Sequence, residues 1–554
     1  FCLTGKGGQM MKKFKFLIIL VALSVVLAGC GNAEGIYSDK GDVFRKVIPQ
    51  DISSLDTALA TDTVSFDIYN QVYEGLYTLD KNDKAKPGVA KAMPKESNGG
   101  KTLTIDLRKD AKWSNGDPVT AHDFEYAWKR VVKPDTASEY AYIMYDLKNA
   151  EEINMGKKDV DELGVKAVDD HTLKVELTKP IPYMNEMLAF ATFMPQNEKA
   201  VKKAGQQYGT TADKTVYNGP FKVKDWKVED KIQLVKNDDY WDKKAVNLDR
   251  INYKVLKDQQ AGAALYDTQS VDDTIITADQ VDKYADNPGL KKRLLASTFY
   301  IKLNRDNVPE FKNKDLRLAI SQAINKEGFV NSVKNDGSEV TDGFTSKLTA
   351  KSPDGKDFTE SIDSPLTYNP KVAKQHLEKA KEQLGKDEIT FTMNTDDGPD
   401  KKVAAEYIKS QVESNLPGVT MNIKQLPFKQ RVNQEHSETF EASLSGWGPD
   451  YPDPLTFLNI MTTGNPSNNT GWGNKEFDKL VKDANGKLLK KPEERNAAMK
   501  EAEELLLAEA PVAPVYQKGE AHLTNPQVKG LVYHQIGGDT TLKHVKIDKS
   551  IDPK

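Results

Sequence analysis

Between Leu444 and Pro454 the chain reads Leu444-Ser445-Gly446-Trp447-Gly448-Pro449-Asp450-Tyr451-Pro452-Asp453-Pro454. Three kinds of chemistry lie within reach of one another there: a flat apolar indole at Trp447, one fixed negative charge at Asp450, and backbone freed by Gly446 and Gly448. Lining a cleft, the stretch would hold the positive end of an extended ligand. Its Gly and Pro content argues against a helix or a central strand and for a stiff loop. The other reading of the same residues is a proline-rich surface turn with Trp447 tucked into the core.

Other chemistry is missing from the sequence. There is no Gly-x-x-x-x-Gly-Lys-Ser/Thr phosphate loop, no Gly-x-Ser-x-Gly elbow and no His-Glu-x-x-His helix. Seven histidines are scattered without ligand spacing. Asn394 to Asp400 has acids spaced faintly like a calcium loop but lacks the distal glutamate, and is read as a turn. The pairs Asp169-Asp170 and Asp272-Asp273 read as surface acids. No catalytic set, metal site or cofactor motif emerges.

The 554 residues suffice for two or three domains with buried cores. A net charge of −4 with interspersed acids and bases shows no basic stripe, which excludes the usual nucleic-acid binder. Residues 1–30 stand apart. Met10 or Met11 precedes Lys12-Lys13-Phe14-Lys15, then the eleven-residue apolar run Leu17 to Leu27, then Ala28-Gly29-Cys30. That run is too short to span a bilayer and suits a signal peptide. Cys2 lies upstream of the start, so the exported body has no partner for Cys30, no disulfide and no thiolate chemistry. Residues 31–42 have the small polar character of a tether.

The elements that must position the loop follow in order. Val43–Ile48 reads as a strand, and Val64 to Glu74 as a helix capped by Gly75. Residues 103–108 form a strand, Thr120 an N-cap, 172–177 a strand, and 218–223 with 232–235 a hairpin. From residue 300 the order becomes helix, helix, strand, helix, strand, which predicts a second, α/β lobe with a partly parallel sheet. The helix Pro492 to Ala508 follows the loop, and the last forty residues are free to return to the first lobe.

Several stretches together resemble one family. They are Ser54-Leu55-Asp56, Glu74-Gly75-Leu76, Leu103 through Arg130, Asn218-Gly219-Pro220-Phe221, Asn237-Asp238-Asp239-Tyr240-Trp241, Gly446-Trp447 to Asn459, and Ala510 to Tyr516. In this order they resemble the extracytoplasmic substrate-binding proteins of ABC importers, peptide and nickel cluster, oligopeptide-binding members above all. Leu27-Ala28-Gly29-Cys30 resembles a lipobox, in which Cys30 becomes the acylated N-terminus of a Gram-positive lipoprotein on the outer face of the cell membrane.

The resemblance implies a periplasmic-binding-protein-like α/β fold of two lobes and three domains, with the ligand cleft between the lobes. The first domain would comprise 43–73, 198–299 and 518–554, the second 74–197 and the third 300–517. It implies a monomeric, non-enzymatic receptor that holds extended oligopeptides and hands them to permease subunits. By position, Asp450 would receive the peptide ammonium, with Tyr140 supplying a hydroxyl nearby. Gly446 and Gly448, flanking Trp447, would offer backbone groups, and Thr61 and Thr63 would face the ligand from the other lobe. Alternatives are a signalling peptide, or another solute of the cluster such as a glycan, haem or nickel complex. Some relatives place arginines shortly before the Gly-Trp pair, but Thr439 to Ser445 has no Arg or Lys. Capture of a peptide carboxylate would then be water-mediated, made by other lysines, or absent.

Overall fold

The protein is described by a computed structural model covering residues 41–553. The Cys30 assignment and most of the tether lie outside the described residues.

One mixed sheet of eleven strands runs through both lobes. Its members in chain order are β1 (Val43–Ile48), β2 (Phe221–Lys227), β3 (Lys231–Lys236), β4 (Arg250–Val255), β5 (Asp273–Ile276), β6 (Leu290–Leu303), β7 (Glu339–Val340), β8 (Ile389–Asp396), β9 (Val419–Leu426), β10 (Ala442–Trp447) and β11 (Val512–Thr524). They lie in the order β9-β8-β10-β6-β11-β5-β1-β4-β3-β2, with β7 also paired to β11. β1 is buried on both faces except at Arg45, as expected of a strand running parallel to both its neighbours, β4 and β5.

The long strands β6 and β11 carry the sheet from one lobe to the other. Leu290–Leu294 of β6 pair with Gly519–Leu523, while Thr298–Lys302 pair with Val512–Gln517, and the register shifts between the two blocks. In the second lobe β8 runs parallel to β9 and β10. The helices α3 (Lys314–Gln322), α4 (Pro370–Leu384) and α5 (Pro399–Asn415) bury apolar faces in the core that holds Phe391 and Met393, and α6 (Pro492–Glu509) packs in another with Tyr300 and Leu455.

Helix α1 (Thr63–Val72) starts where Asp62 accepts the Ser65 N–H, but it stops at Tyr73 rather than at Gly75. The amide of Asn218 explains the early end. It accepts from Glu74 N at 3.0 Å and donates to Glu74 O at 2.8 Å, drawing the chain out of the helix. Helix α2 (Ala121–Val132) is capped by the Thr120–Asp123 pair and buries Phe124, Ala127, Trp128 and Val131, one stripe at helical spacing. It packs beside a four-stranded antiparallel sheet that includes Thr102–Asp106 and Thr172–Glu176. The end of the chain returns to α1, where Asp67 accepts from Thr540 N at 2.7 Å.

The acids Asp272 and Asp273 are not surface residues; each is about 1% exposed. Asp272 takes Arg45 on both oxygens, and Asp273 takes His522 and Thr524, which is how two adjacent carboxylates can be buried.

Asp56 is buried against Arg130 of α2 in a two-pronged pair of 2.8 and 2.7 Å, with Gln196 adding a third donor at 2.9 Å. Removing one partner strands a buried charge, at a cost of roughly 3–5 kcal/mol. Asp56→Ala is therefore expected to lower the thermal midpoint sharply by calorimetry. A surface-like change of a few tenths of a kcal/mol would contradict this account.

Candidate functional site

The site grows from the end of β10. Leu444 to Trp447 belong to this strand, in the middle of the sheet, and not to a loop. A glycine is tolerated there because Phe299, its partner across β6, lays its ring where a side chain would go. A Cβ on Gly446 would sit 2.8 Å from that ring. β10 pairs with β6 along its whole length, but with β8 only at Ala442 and Ser443. Among the described residues, no strand pairs with that edge of β10 beyond Ser443. Its backbone is open to an added strand.

Past Trp447 the chain turns through exposed Gly448 and brings Asp450 inside, 7% exposed. Thr456 fixes the turn by accepting from Asp450 N at 3.0 Å. The neighbouring Asp453 is an ordinary structural acid. Arg495 of α6 grips both its oxygens at 2.7 and 2.9 Å.

Asp450 has no such partner. Its carboxylate accepts the hydroxyl of Tyr140 at 3.2 Å on one oxygen and that of Tyr142 at 3.2 Å on the other. No cation among the described residues pairs with it. Burial pushes its pKa up to about 6, against the pull of the two hydroxyls. Burial, and then the charge of Asp450, raises both phenols well above their usual range, so they remain donors. A sealed carboxylate with neutral donors alone is costly, and an ammonium group would complete it.

The tyrosines come from residues 140–142, across the cleft from β10. Tyr140 packs edge-on to Phe66 of α1 at 5.7 Å between centroids and stacks on Phe190 at 5.6 Å. A second contact crosses nearby, where Tyr183 stacks on Tyr451 at 4.4 Å and 5°. The lobes therefore meet around Asp450.

Of the residues expected at the site, Asp450 and Tyr140 are joined directly. Trp447 is half-buried, and its indole N–H is enclosed without a hydrogen-bond partner. Gly448 lies near the β6 backbone, its would-be Cβ 3.7 Å from Ala296 O. Thr61 and Thr63 are exposed at the head of α1, whose Phe66 touches Tyr140. Neither threonine bonds to Asp450 or its tyrosines. Tyr142 was not foreseen, although a second tyrosine two residues after the first was visible in Glu139-Tyr140-Ala141-Tyr142. Arg431 reaches Ser445 of β10 at 3.4 Å but is committed to Asp396 and Glu435.

A sheet that crosses between two lobes, with an unpaired acid enclosed where they meet, defines a two-lobed solute-binding protein. The family model for bacterial extracellular solute-binding proteins, family 5, matches residues 84–469, and the chain belongs to that family. It is 35% identical to a dipeptide-binding protein of Lactococcus lactis subsp. cremoris over 97% of this chain and 100% of the relative. It is also similar to the substrate-binding domain of an oligopeptide ABC transporter from Bacillus anthracis. That structure has 42% identity and a TM-score of 0.85, over 92% of this chain and 99% of the other. The peptide-bound OppA of Listeria monocytogenes has 37% identity and a TM-score of 0.84, covering 92% and 100%.

An acid whose pKa is raised on folding weakens the folded form as pH rises from about 4 through about 6. Ligand-free Asp450→Asn is thus expected to be no less stable than the parent at pH 7.5, and up to roughly 1–2 kcal/mol more stable. The difference should shrink as pH falls below about 6 and vanish only below about pH 4 in differential scanning calorimetry. A large loss at pH 7.5 would make Asp450 a structural acid like Asp453.

Proposed function

We propose that the protein is an extracellular receptor that binds oligopeptides in extended form between its lobes and delivers them to the permease of an ABC importer. The observation that carries this reading is the buried carboxylate of Asp450, which has two phenolic donors and no paired cation among the described residues. A peptide's α-ammonium is the complement, and the open edge of β10 is suited to the backbone that follows it. Relatives described as dipeptide- and oligopeptide-binding proteins support the choice of peptide.

In this reading the first domain is 43–73, 198–299 and 518–554, the second 74–197 and the third 300–517, and they close about the crossing strands β6 and β11. Tyr140 and Tyr142 steady the carboxylate. Trp447, Gly446 and Gly448 flank the peptide's first residues, with Thr61 and Thr63 on the facing rim. Since Arg431 is engaged and no basic residue lies in Thr439 to Ser445, the peptide carboxylate has no fixed anchor beside β10. That favours peptides longer than two or three residues. The Leu27-Ala28-Gly29-Cys30 box supports lipid anchoring through Cys30, which would hold a monomeric, non-enzymatic receptor at the outer face of the membrane.

Titration calorimetry with four- to ten-residue peptides, free and N-acetylated, tests this function. Acetylation should weaken binding by two orders of magnitude or more, since it leaves a buried charge without its partner, a loss of roughly 3–5 kcal/mol. Affinity for the free peptides should also fall as pH drops below about 6 and Asp450 takes up a proton. Equal affinity for acetylated and free peptides would remove Asp450 from the role.

A further inference from the structure

The place where β6 crosses between the lobes is held by side chains rather than by strand pairing. Between the pairs Leu294↔Gly519 and Thr298↔Gln517, β6 sets Leu295, Ala296 and Ser297 against Lys518 alone. Two glutamines serve the backbone of this bulge. Gln535 accepts from Ala296 N at 2.7 Å and donates to Leu294 O at 3.1 Å. Gln517, 1% exposed, donates to Leu295 O at 2.8 Å.

Each glutamine is anchored elsewhere. Gln517 makes a reciprocal pair with the backbone of Lys347, donating to its O at 3.0 Å and accepting from its N at 2.9 Å. The next residue, Leu348, is held at φ 69°, a conformation rare for so large a side chain. Gln535 donates its own N–H to Asp83 at 3.0 Å, in the turn between the strands Tyr77–Leu79 and Ala85–Pro87. Asp83 also meets His534 at 2.8 Å. The bulge in turn faces the site. Ala296 O and the Ser297 side chain lie 3.7 and 3.9 Å from a Cβ built on Gly448, two residues before Asp450.

We propose that Gln535 and Gln517 are positioning residues for ligand capture. They fix the crossing point of β6 in the shape that sets Gly448–Asp450 against Tyr140 and Tyr142, and so favour the closed form without touching the ligand. An amide suits this task because it offers a donor and an acceptor to a bulge that presents both. In an open cleft water can replace it, whereas closure shuts water out, so losing the amide penalises the closed form selectively. This rests on the reading of the protein as a receptor that closes over its ligand.

The test compares Gln535→Ala with the parent and with Asp450→Asn, using a free hexapeptide and its N-acetylated copy. Gln535→Ala should bind the free peptide about tenfold more weakly, the worth of a lost buried hydrogen bond. The ratio of free to acetylated affinity should stay at the parent's value, while Asp450→Asn abolishes it. Gln535→Glu, which keeps the acceptor for Ala296 N but not the donor for Leu294 O, should fall between parent and Ala. An unchanged affinity in Gln535→Ala, or a collapsed ratio, would overturn the proposal. Small-angle X-ray scattering of the ligand-free proteins separates this claim from the peptide reading. Even if no peptide binds the parent, Gln535→Ala should be the more expanded, and identical profiles would refute the role.

Discussion

A carboxylate cannot be sealed inside a protein without a counter-charge, dense hydrogen bonding, or a raised pKa. This molecule shows several of these solutions close together. Asp453 has Arg495, Asp56 has Arg130, and Asp273 has His522 and Thr524. Asp450 relies instead on two neutral phenols, and burial raises its pKa. Glu503, also buried with no cation paired to it among the described residues, takes three donors, Phe344 N, Thr345 N and the Thr345 hydroxyl, where Asp450 has two, and Asp450 lies where the two lobes touch.

The sheet makes that arrangement reversible in principle. Separate domains joined by flexible linkers would have to find one another for each ligand. Here β6 and β11 are shared by both halves, and in the proposed closure the register break between Leu294 and Thr298 would localise bending to a few residues. The strand that would receive the ligand, β10, is paired directly to β6. Any motion at the crossing would therefore act directly on the strand that carries the open edge.

The sequence made much of this legible, for identifiable reasons. Helix α2 was readable because its capping pair and apolar stripe agree, and β1 because β-branched and aromatic residues stand on both sides of Arg45-Lys46. The two-lobed order followed from the change in element pattern after residue 300. Failures came where the deciding atom is distant in sequence. Gly446 looked like a strand breaker because nothing local reveals that Phe299 fills the space of its side chain. Gly75 looked like a helix cap because the amide that ends α1 belongs to Asn218. Asp272 and Asp273 looked exposed because their partners are Arg45 and His522. The family resemblance linked Asp450 with Tyr140, but only the structure supplied Tyr142 and the lack of a paired cation among the described residues.

The stretches that carry the family resemblance do another job. Asp56 and Arg130 bind each other, and Glu74 accepts from Tyr240 and, at 2.7 Å, from Trp241. Arg108 lies 3.2 Å over the Trp241 ring, and Asn237 donates to Gly219 O at 2.9 Å. Ser54–Asp56, Glu74, the 103–130 block, 218–221 and 237–241 are thus largely one another's partners, knitting the base of the first lobe. They identify the scaffold and are silent about what it holds. In the proposed reading function rests on a smaller set, the end of β10 with the turn to Thr456 and the tyrosines of 140–142, where a charge would be left for something outside the chain to complete.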